Sequence, residues 1–263
     1  MWYNSQEAEH LVDPYSKLAY IYDDLMAHVD YKNWSRFIDK IIQRWHPGAH
    51  KILDISSGTA TQLLKLYSKK YMIYGFDFSF NMVKVAKRKC KQRKVSIPLW
   101  QGNMTAFRLK QKVDVIVSLY DSVNYIIGKS GWEKMLDCAY DGLNDDGLFI
   151  FDICTEKNSR KYFHNYYEKN RGDGFFYTRE SKYNAEDKIH TNRFEIYFDE
   201  NKKTYVEFHE QKILKVREVM DLIQQTRFQI LGAFHGFTFR PGDENSLRIH
   251  FVLKKKCKYD SIS

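Results

Sequence analysis

The sequence predicts an α/β protein built on a doubly wound, mostly parallel sheet. From residue 34 to residue 153, short apolar segments alternate with segments whose apolar residues recur every three or four positions, as in amphipathic helices. The segments 51–56 and 113–119 are apolar enough to be buried on both faces, which is typical of strands in a parallel sheet. Parallel strands need crossover connections, and the intervening helices supply them.

The elements follow one another with clear boundaries. A helix with Trp34, Phe37 and Ile41 on one face ends at Pro47-Gly48, directly before the first strand. The remaining pattern predicts strands at 71–76, 97–101, 113–119 and 148–153, helices at 81–91, 132–143 and 216–226, and two last strands at 228–237 and 247–253.

Residues 155–214 have a different character. The segments 174–183, 189–199 and 204–214 alternate aromatic with charged residues, and Asp199 to Lys203 reads as a hairpin turn. We therefore predict an antiparallel β insertion at 155–214, carried by a core made of residues 1–154 and 215–263.

Composition excludes several classes of protein. The 263 residues are 43% hydrophobic and 16% aromatic, which excludes general disorder. No apolar run approaches the roughly 18 residues of a membrane span, and the first thirteen residues lack the apolar segment of a secretory signal. The four cysteines lie far apart without a C-x-x-C pair, so we expect reduced thiols, a cytoplasmic location and no metal site.

The net charge of +9 is concentrated in one region. Residues 65–94 contain ten Lys or Arg and a single acid, Asp77. Two interpretations are open: a pair of solvated helix faces, or a surface that binds a polyanion such as RNA.

The chemistry is concentrated where the first predicted strand ends. Leu53-Asp54-Ile-Ser-Ser-Gly58-Thr-Ala60 opens directly into a helix, and its small residues let a ligand approach the backbone at that helix's N-terminus. Asp77, nineteen residues after Gly58, ends the next strand, where an acid can accept both hydroxyls of a ribose. The spacing therefore predicts a nucleoside-containing cofactor. A dinucleotide fingerprint would need Gly at 61, where Thr61 stands.

Several motifs, in order, resemble those of the class I S-adenosylmethionine-dependent methyltransferases. They are the turn at 53–60, Gly75-Phe-Asp77-Phe-Ser79-Phe-Asn-Met82, Gln101-Gly-Asn103-Met104, Tyr120-Asp121-Ser-Val-Asn124-Tyr125, Tyr15-x-x-x-Ala19-x-x-Tyr22-Asp23-x-Leu25, His209-x-Gln211-Lys212 and Arg248-Ile-His-Phe-Val252. The resemblance covers residues 15–256 and is greatest to a small-molecule branch that includes N-methyltransferases of amino sugars and glycine-type amines. It implies a Rossmann-like sheet of seven strands with the last one antiparallel, the insertion as a lid over the substrate, and S-adenosylmethionine as cofactor.

The resemblance also assigns roles to residues. In the cofactor site, Ser56 and Gly58 would line the methionine part, Asp77 would hold the ribose, Phe78 and Met82 would flank the adenine, Asn103 and Met104 would read its edge, and Tyr15, Tyr22 and Leu119 would complete the site. Tyr120, Asn124 and Tyr125 would contact the substrate. Ser56, Ala60 and Asn103 depart from the usual residues. At a positive φ, Ser or Ala would cost about 1–2 kcal/mol.

We expect methylation of a small molecule, with an amine as acceptor, because tyrosine faces favour the cation that forms. His209 and Asp121 are the candidate bases. In 205–211, Glu207 and His209 share one strand face, and Val206 and Phe208 share the other, which we expect to pack inside the lid.

Two alternatives stay open: an RNA methyltransferase, suggested by the charge, and a non-catalytic cofactor-binding protein, suggested by Ser56 and Ala60. We expect a monomer or homodimer that binds no membrane.

Overall fold

The computed structural model describes residues 9–67 and 71–255. Its strands are β1 (His10–Leu11), β2 (Lys51–Asp54), β3 (Met72–Asp77), β4 (Leu99–Gln101), β5 (Val113–Ser118), β6 (Leu143–Cys154), β7 (Tyr166–Gly172), β8 (Phe175–Asn184), β9 (Ile189–Phe198), β10 (Lys203–Lys212), β11 (Phe228–His235) and β12 (Arg248–Lys255). Its helices are α1 (Tyr22–Leu25), α2 (Tyr31–Trp45), α3 (Thr61–Leu66), α4 (Phe80–Gln92), α5 (Lys129–Gly142), α6 (Glu156–Tyr162) and α7 (Val216–Gln224). Two short 3-10 turns, Leu18–Tyr20 and Ser122–Tyr125, complete the described elements.

The central sheet confirms the predicted fold class. Its seven strands lie in the order β11-β12-β6-β5-β2-β3-β4. Strands β2 to β6 pair in parallel, whereas β12, the last strand, is antiparallel to both β6 and β11. The carboxyl ends of β2, β3 and β5 therefore open at one edge, which is where ligands bind in such sheets.

Both faces of this sheet are covered by helices, as a doubly wound sheet requires. Along β5, Val115 and Val117 belong to the apolar cluster that contains α2 and α3, whereas Ile116 belongs to the cluster that contains α5 and α7. The amphipathic pattern of α2 places Ile38 and Ile41, both fully buried, against the first face. This packing fixes the loops at the carboxyl edge on a rigid frame.

A second sheet of five strands lies in the order β1-β10-β9-β8-β7. The predicted insertion thus contains four of its strands, and the N-terminal segment contributes β1, parallel to β10. Neither α6 nor β7 is predicted by the sequence. The inner face of this sheet packs on the N-terminal segment, where Leu18 and Ile21 meet Tyr177 and Ile196.

The orientation of β10 corrects one expectation. Glu207, His209 and Gln211 are all buried, whereas Phe208, expected inside, is 49% exposed. Val206 is buried as expected. The polar face turns inward because it meets the N-terminal segment and the loop after β5, where each of its polar side chains finds a partner. Alternation shows which residues share a face, but not which face is covered.

The basic region is partly solvated. On α4, Lys84, Lys87 and Arg88 are exposed, whereas Lys89 is half-buried and donates to Asp23 at 2.7 Å. The structure does not describe Lys69 and Lys70, which the charge count of the region includes, nor Cys257. Within 9–67 and 71–255, no helix has the length and apolar character needed to span a bilayer.

Candidate active site

The turn between β2 and α3 is shaped by three features. Asp54 is buried and accepts from the backbone N–H of Ser56 at 2.9 Å. Gly58 has a φ of +50°, and a Cβ built there would meet nothing within 4 Å, so open space lies above its backbone. Of the two residues with a suspected strain, only Ala60 has a positive φ, 62°, while Ser56 does not. The departure at Ser56 therefore carries no left-handed strain.

Asp77 closes this turn from the neighbouring strand. One carboxylate oxygen accepts from the N–H of Gly58 at 2.8 Å, and the other accepts from the N–H of Ser79 at 2.9 Å. Burial raises the pKa of Asp77, although these two backbone hydrogen bonds oppose the rise. Because each carboxylate oxygen can accept a second hydrogen bond, Asp77 holds the turn and remains able to receive hydroxyl donors.

A small cavity lies over the turn and contains polar groups without partners. Its wall includes Asp54, Ser56, Gly58, Gln62 and Leu119. Both amide atoms of Gln62 are buried and find no hydrogen-bond partner among the described residues, and the hydroxyl of Ser57 is in the same position. Burial, together with the charge of Asp77, raises the pKa of Asp54 to about 7, against the hydrogen bonds from Ser56. Orphaned buried groups of this kind fit a polar ligand.

A larger cavity of about 450 Å³ lies under the inner face of the second sheet. It shares Tyr22, Tyr120 and Ser122 with the small cavity, so the two cavities are adjacent and these side chains form their common wall. A volume of this size suits a small organic molecule. Tyr15, Tyr120 and Tyr125 line it, as does His209, whereas Asn124 does not. Asn124 instead holds its 3-10 turn to β6 and β10 by donating to Cys154 and Lys212.

The loop after β5 is held by a buried ion-pair network. Tyr120 and Asp121 both have positive φ, and both of their N–H groups donate to Asp152, at 2.7 and 2.9 Å. Arg248 pairs with Asp152 and, at 2.6 Å, with Asp121, which also accepts from Gln211 at 2.9 Å. Burial raises the pKa of Asp152 to about 6, against the charge of Arg248. The carboxylate of Asp121 is therefore engaged in holding the loop, and its role as a base stays a prediction.

His209 belongs to a chain of hydrogen bonds that ends in the larger cavity. Its Nε2 lies 3.0 Å from Glu207, and its Nδ1 lies 3.0 Å from the Tyr125 hydroxyl. The Tyr125 hydroxyl in turn lies 2.6 Å from that of Tyr15. Fully buried Glu207 also accepts from the N–H groups of Tyr15, Lys17 and Leu18, at 2.6 to 2.9 Å. His209 is thus buried with both nitrogens bound to side chains, not to backbone.

The tyrosine hydroxyls of the site stay protonated. Burial raises the pKa of Tyr120 to about 12, against the charge of Arg248. Burial also raises the pKa of Tyr15 and of Tyr125 well above the usual range, and for Tyr15 the neighbouring Tyr125 adds to the rise. These groups can pass or share protons, but none of them is a phenolate base at neutral pH.

Comparison with known proteins shows which sequences and folds this chain resembles. The family described as "Methyltransferase domain" matches residues 52–147. A protein of Geobacillus sp. (strain WCH70) named as a methyltransferase is 27% identical over 248 residues, 92% of this chain and 99% of that protein. The crystal structure of an S-adenosylmethionine-dependent methyltransferase from Clostridium acetobutylicum superposes with a TM-score of 0.80 at 25% identity, covering 92% of this chain and 99% of that one. This chain is an S-adenosylmethionine-dependent methyltransferase.

A further solved structure has the same fold. The sugar N-methyltransferase KedS8 from Streptoalloteichus sp. has a TM-score of 0.74 at 15% identity, over 98% of this chain and 96% of that one. At that identity the likeness shows the shared fold.

The polar lining of the small cavity fits the amino-acid end of S-adenosylmethionine, and its volume of about 50 Å³ holds only that part of the molecule. Its amino-acid end carries a carboxylate and an ammonium group, and the orphaned amide of Gln62 offers both a donor and an acceptor for them. The sequence did not single out Gln62. The available signal was a polar residue at a buried position in the first turn of α3.

None of the four residues predicted to contact the adenine lines either cavity. Phe78 is 71% exposed, and Met82 is 2% exposed within a cluster formed by α4 and the N-terminal segment. The side-chain oxygen of Asn103 accepts from the N–H and hydroxyl of Thr105, both at 2.9 Å, and Met104 packs against the core. Their adenine roles stay predictions. Among the described residues, no cluster of His, Cys, Asp and Glu could hold a metal.

Proposed function

We propose that this methyltransferase methylates an amine of a small molecule held in the larger cavity, and that His209 receives the amine proton through Tyr125 and Tyr15. The proposal rests on the position of the two cavities, which share Tyr22 and Tyr120 in their walls. A cofactor in the small cavity would therefore lie next to an acceptor in the larger one.

S-Adenosylmethionine, when bound, supplies an electrophilic methyl group on a sulfonium. Since such a transfer is an in-line displacement, the protein contributes chiefly alignment and exclusion of water. The turn at 56–58, Gln62 and Asp77 supply the alignment on the cofactor side. The second sheet and the N-terminal segment close over the acceptor side, with Leu18 and Ile21 in their shared apolar cluster.

The hydrogen-bond chain has a direction set by Glu207. Three backbone N–H groups point at its carboxylate, so Glu207 acts as an acceptor, and Nε2 of His209 carries the proton that it shares with it. Nδ1 is then the acceptor for the Tyr125 hydroxyl, and the Tyr125 oxygen accepts from Tyr15. A lone pair of the Tyr15 oxygen is left to accept from an amine N–H in the cavity.

Aromatic rings favour the positive charge that an attacking amine develops. Tyr15, Tyr120 and Tyr125 line the cavity, and a cation over such a face gains about 0.5–2 kcal/mol depending on desolvation. The sugar N-methyltransferase KedS8 has the same fold, which supports an amine acceptor. The alternative of an RNA acceptor has less support, since no residue of the basic segment 84–94 lines either cavity.

The test is transfer of a ¹³C-methyl group from labelled S-adenosylmethionine to a panel of primary amines and matched alcohols, read by NMR. We expect N-methyl signals with amines and none with the alcohols. Methylation of the alcohols, or of tRNA in place of the small molecules, would overturn the proposal. His28→Ala is a suitable control, because His28 touches the cavity wall but takes no part in the proton chain.

A further inference from the structure

We propose that Arg179 binds an acidic group, a carboxylate or a phosphate, on the acceptor, so that the substrate is an amine that also carries a negative charge. This inference rests on the proposed function and specifies its substrate class. Arg179 lines the larger cavity at the end formed by β7, β8 and β9. No sequence motif pointed to it.

The guanidinium of Arg179 is fixed in place without a charged partner. Its Nε donates to the side-chain oxygen of Asn192 at 2.9 Å, and the same oxygen accepts from Ser181 at 2.6 Å. Its carbon lies 5.0 Å from the ring centre of Phe163 and 5.5 Å from that of Phe194. In the described parts of the chain, no carboxylate lies within ion-pair distance of it. Its two terminal nitrogens are thus held ready for a planar, bidentate acceptor.

The two acids that line this cavity, Glu168 and Asp121, are otherwise engaged, Asp121 with Arg248 and Gln211. Glu168 sits opposite Arg179 in the pairing of β7 with β8. Its two oxygens accept from the hydroxyls of Tyr177 at 2.6 Å and of Tyr166 at 3.2 Å. The cavity wall thus holds the Glu168 carboxylate, which already accepts two hydrogen bonds, beside the Arg179 guanidinium, which has no anionic partner.

A second observation at the same place points to a ligand. His190 lines the cavity and is 2% exposed, yet neither ring nitrogen makes a geometrically acceptable hydrogen bond with the described residues. Burial and the charge of Arg179 lower the pKa of His190 to about 4, so the ring is neutral and keeps one N–H to donate. Two neighbouring groups, a guanidinium and an imidazole, can therefore donate to the same anion.

The sheet register sets how far the acidic group lies from the amine. Arg179 is on β8 and pairs with Phe194 on β9, and Phe194 pairs with Glu207 on β10, next to His209 on the same face. Two strand spacings and a two-residue offset separate the Arg179 and His209 backbones by about 12 Å. An acceptor the size of a phosphorylated amino sugar or an aromatic amino acid would span the space between their side chains.

Two matched pairs of amines test the proposal: glucosamine with glucosamine 6-phosphate, and tyramine with tyrosine. Binding is measured by calorimetry on the full chain with S-adenosylhomocysteine present. We expect the acidic member of at least one pair to bind tenfold or more tightly than its neutral partner. Which pair shows this preference distinguishes phosphate from carboxylate.

Arg179→Gln should abolish that preference, Arg179→Lys should retain part of it, and Glu168→Gln should leave it in place. A panel in which no acidic compound binds better than its neutral partner overturns the proposal, as does a preference that survives in Arg179→Gln. Equal methylation of neutral and acidic amines would sink this inference and leave the proposed function standing. Binding of acidic amines without methyl transfer would do the reverse.

Discussion

Replacing Glu207 with Gln tests how the second sheet is joined to the N-terminal segment. In the wild type, two donors converge on each carboxylate oxygen: Lys17 and Leu18 on one, Tyr15 and His209 on the other. An amide keeps one oxygen and turns the other into a donor, so two buried donors lose their acceptor. Each such loss costs about 1–3 kcal/mol, or about 2–6 kcal/mol in all.

The assay is thermal unfolding of the two variants Glu207→Gln and Glu210→Gln beside the wild type. For a chain of this size, a loss of about 4 kcal/mol lowers the Tm by roughly 10 °C. Glu210 lies on the same strand, is exposed, and serves as the matched control, with an expected change within about 0.5 kcal/mol. If Glu207→Gln melted within 2 °C of the control, the three hydrogen bonds from the N-terminal segment would not join it to β10 as described.

Three further outcomes follow from the structure. Asp77→Ala should weaken S-adenosylmethionine binding at least tenfold in calorimetry, whereas Asp24→Ala, an exposed acid, should leave it unchanged; tight NAD binding in its place would contradict the cofactor assignment. Burial lowers the pKa of His250 to about 3. Below pH 6.5 this histidine is therefore protonated in the unfolded chain but stays neutral in the folded protein. On going from pH 7.5 to pH 5.5, the wild type should thus lose about 1.4 kcal/mol of unfolding free energy relative to His250→Phe, as measured by denaturant titration. For residues 65–94, a gel shift with tRNA at physiological salt should show only weak, salt-sensitive binding, and saturable nanomolar binding would favour the RNA alternative.

The sequence predicts the cofactor half of the site because its chemistry is local. The turn at 53–60 and Asp77 lie within one β-α-β unit, where spacing along the chain determines position in space. The seven strands, with the last one antiparallel, follow from the same alternation together with the family resemblance. The left-handed conformation of Ala60, but not of Ser56, could be decided only by the structure.

The acceptor half depends on contacts between distant parts of the chain. The three backbone donors to Glu207 are separated from it by 189 to 192 positions along the chain, and no local sequence pattern indicates such a contact. Strand β7 escapes prediction because most of its residues are exposed, so it lacks the apolar alternation of its neighbours. The burial of Phe208 was predicted wrongly for a related reason: which face of β10 is buried depends on the elements that pack against it.

Methyl-transfer rate and cofactor affinity, measured together for His209→Ala, separate the roles of the two cavities most directly. In the proposed function, the turn after β2 and Asp77 hold the cofactor, whereas His209 acts from the second sheet on the acceptor. We expect a rate lower by a factor of about 10²–10⁴ with an S-adenosylmethionine Kd within twofold of the wild type. An unchanged rate, or a rate and an affinity that fall together, would contradict this expectation.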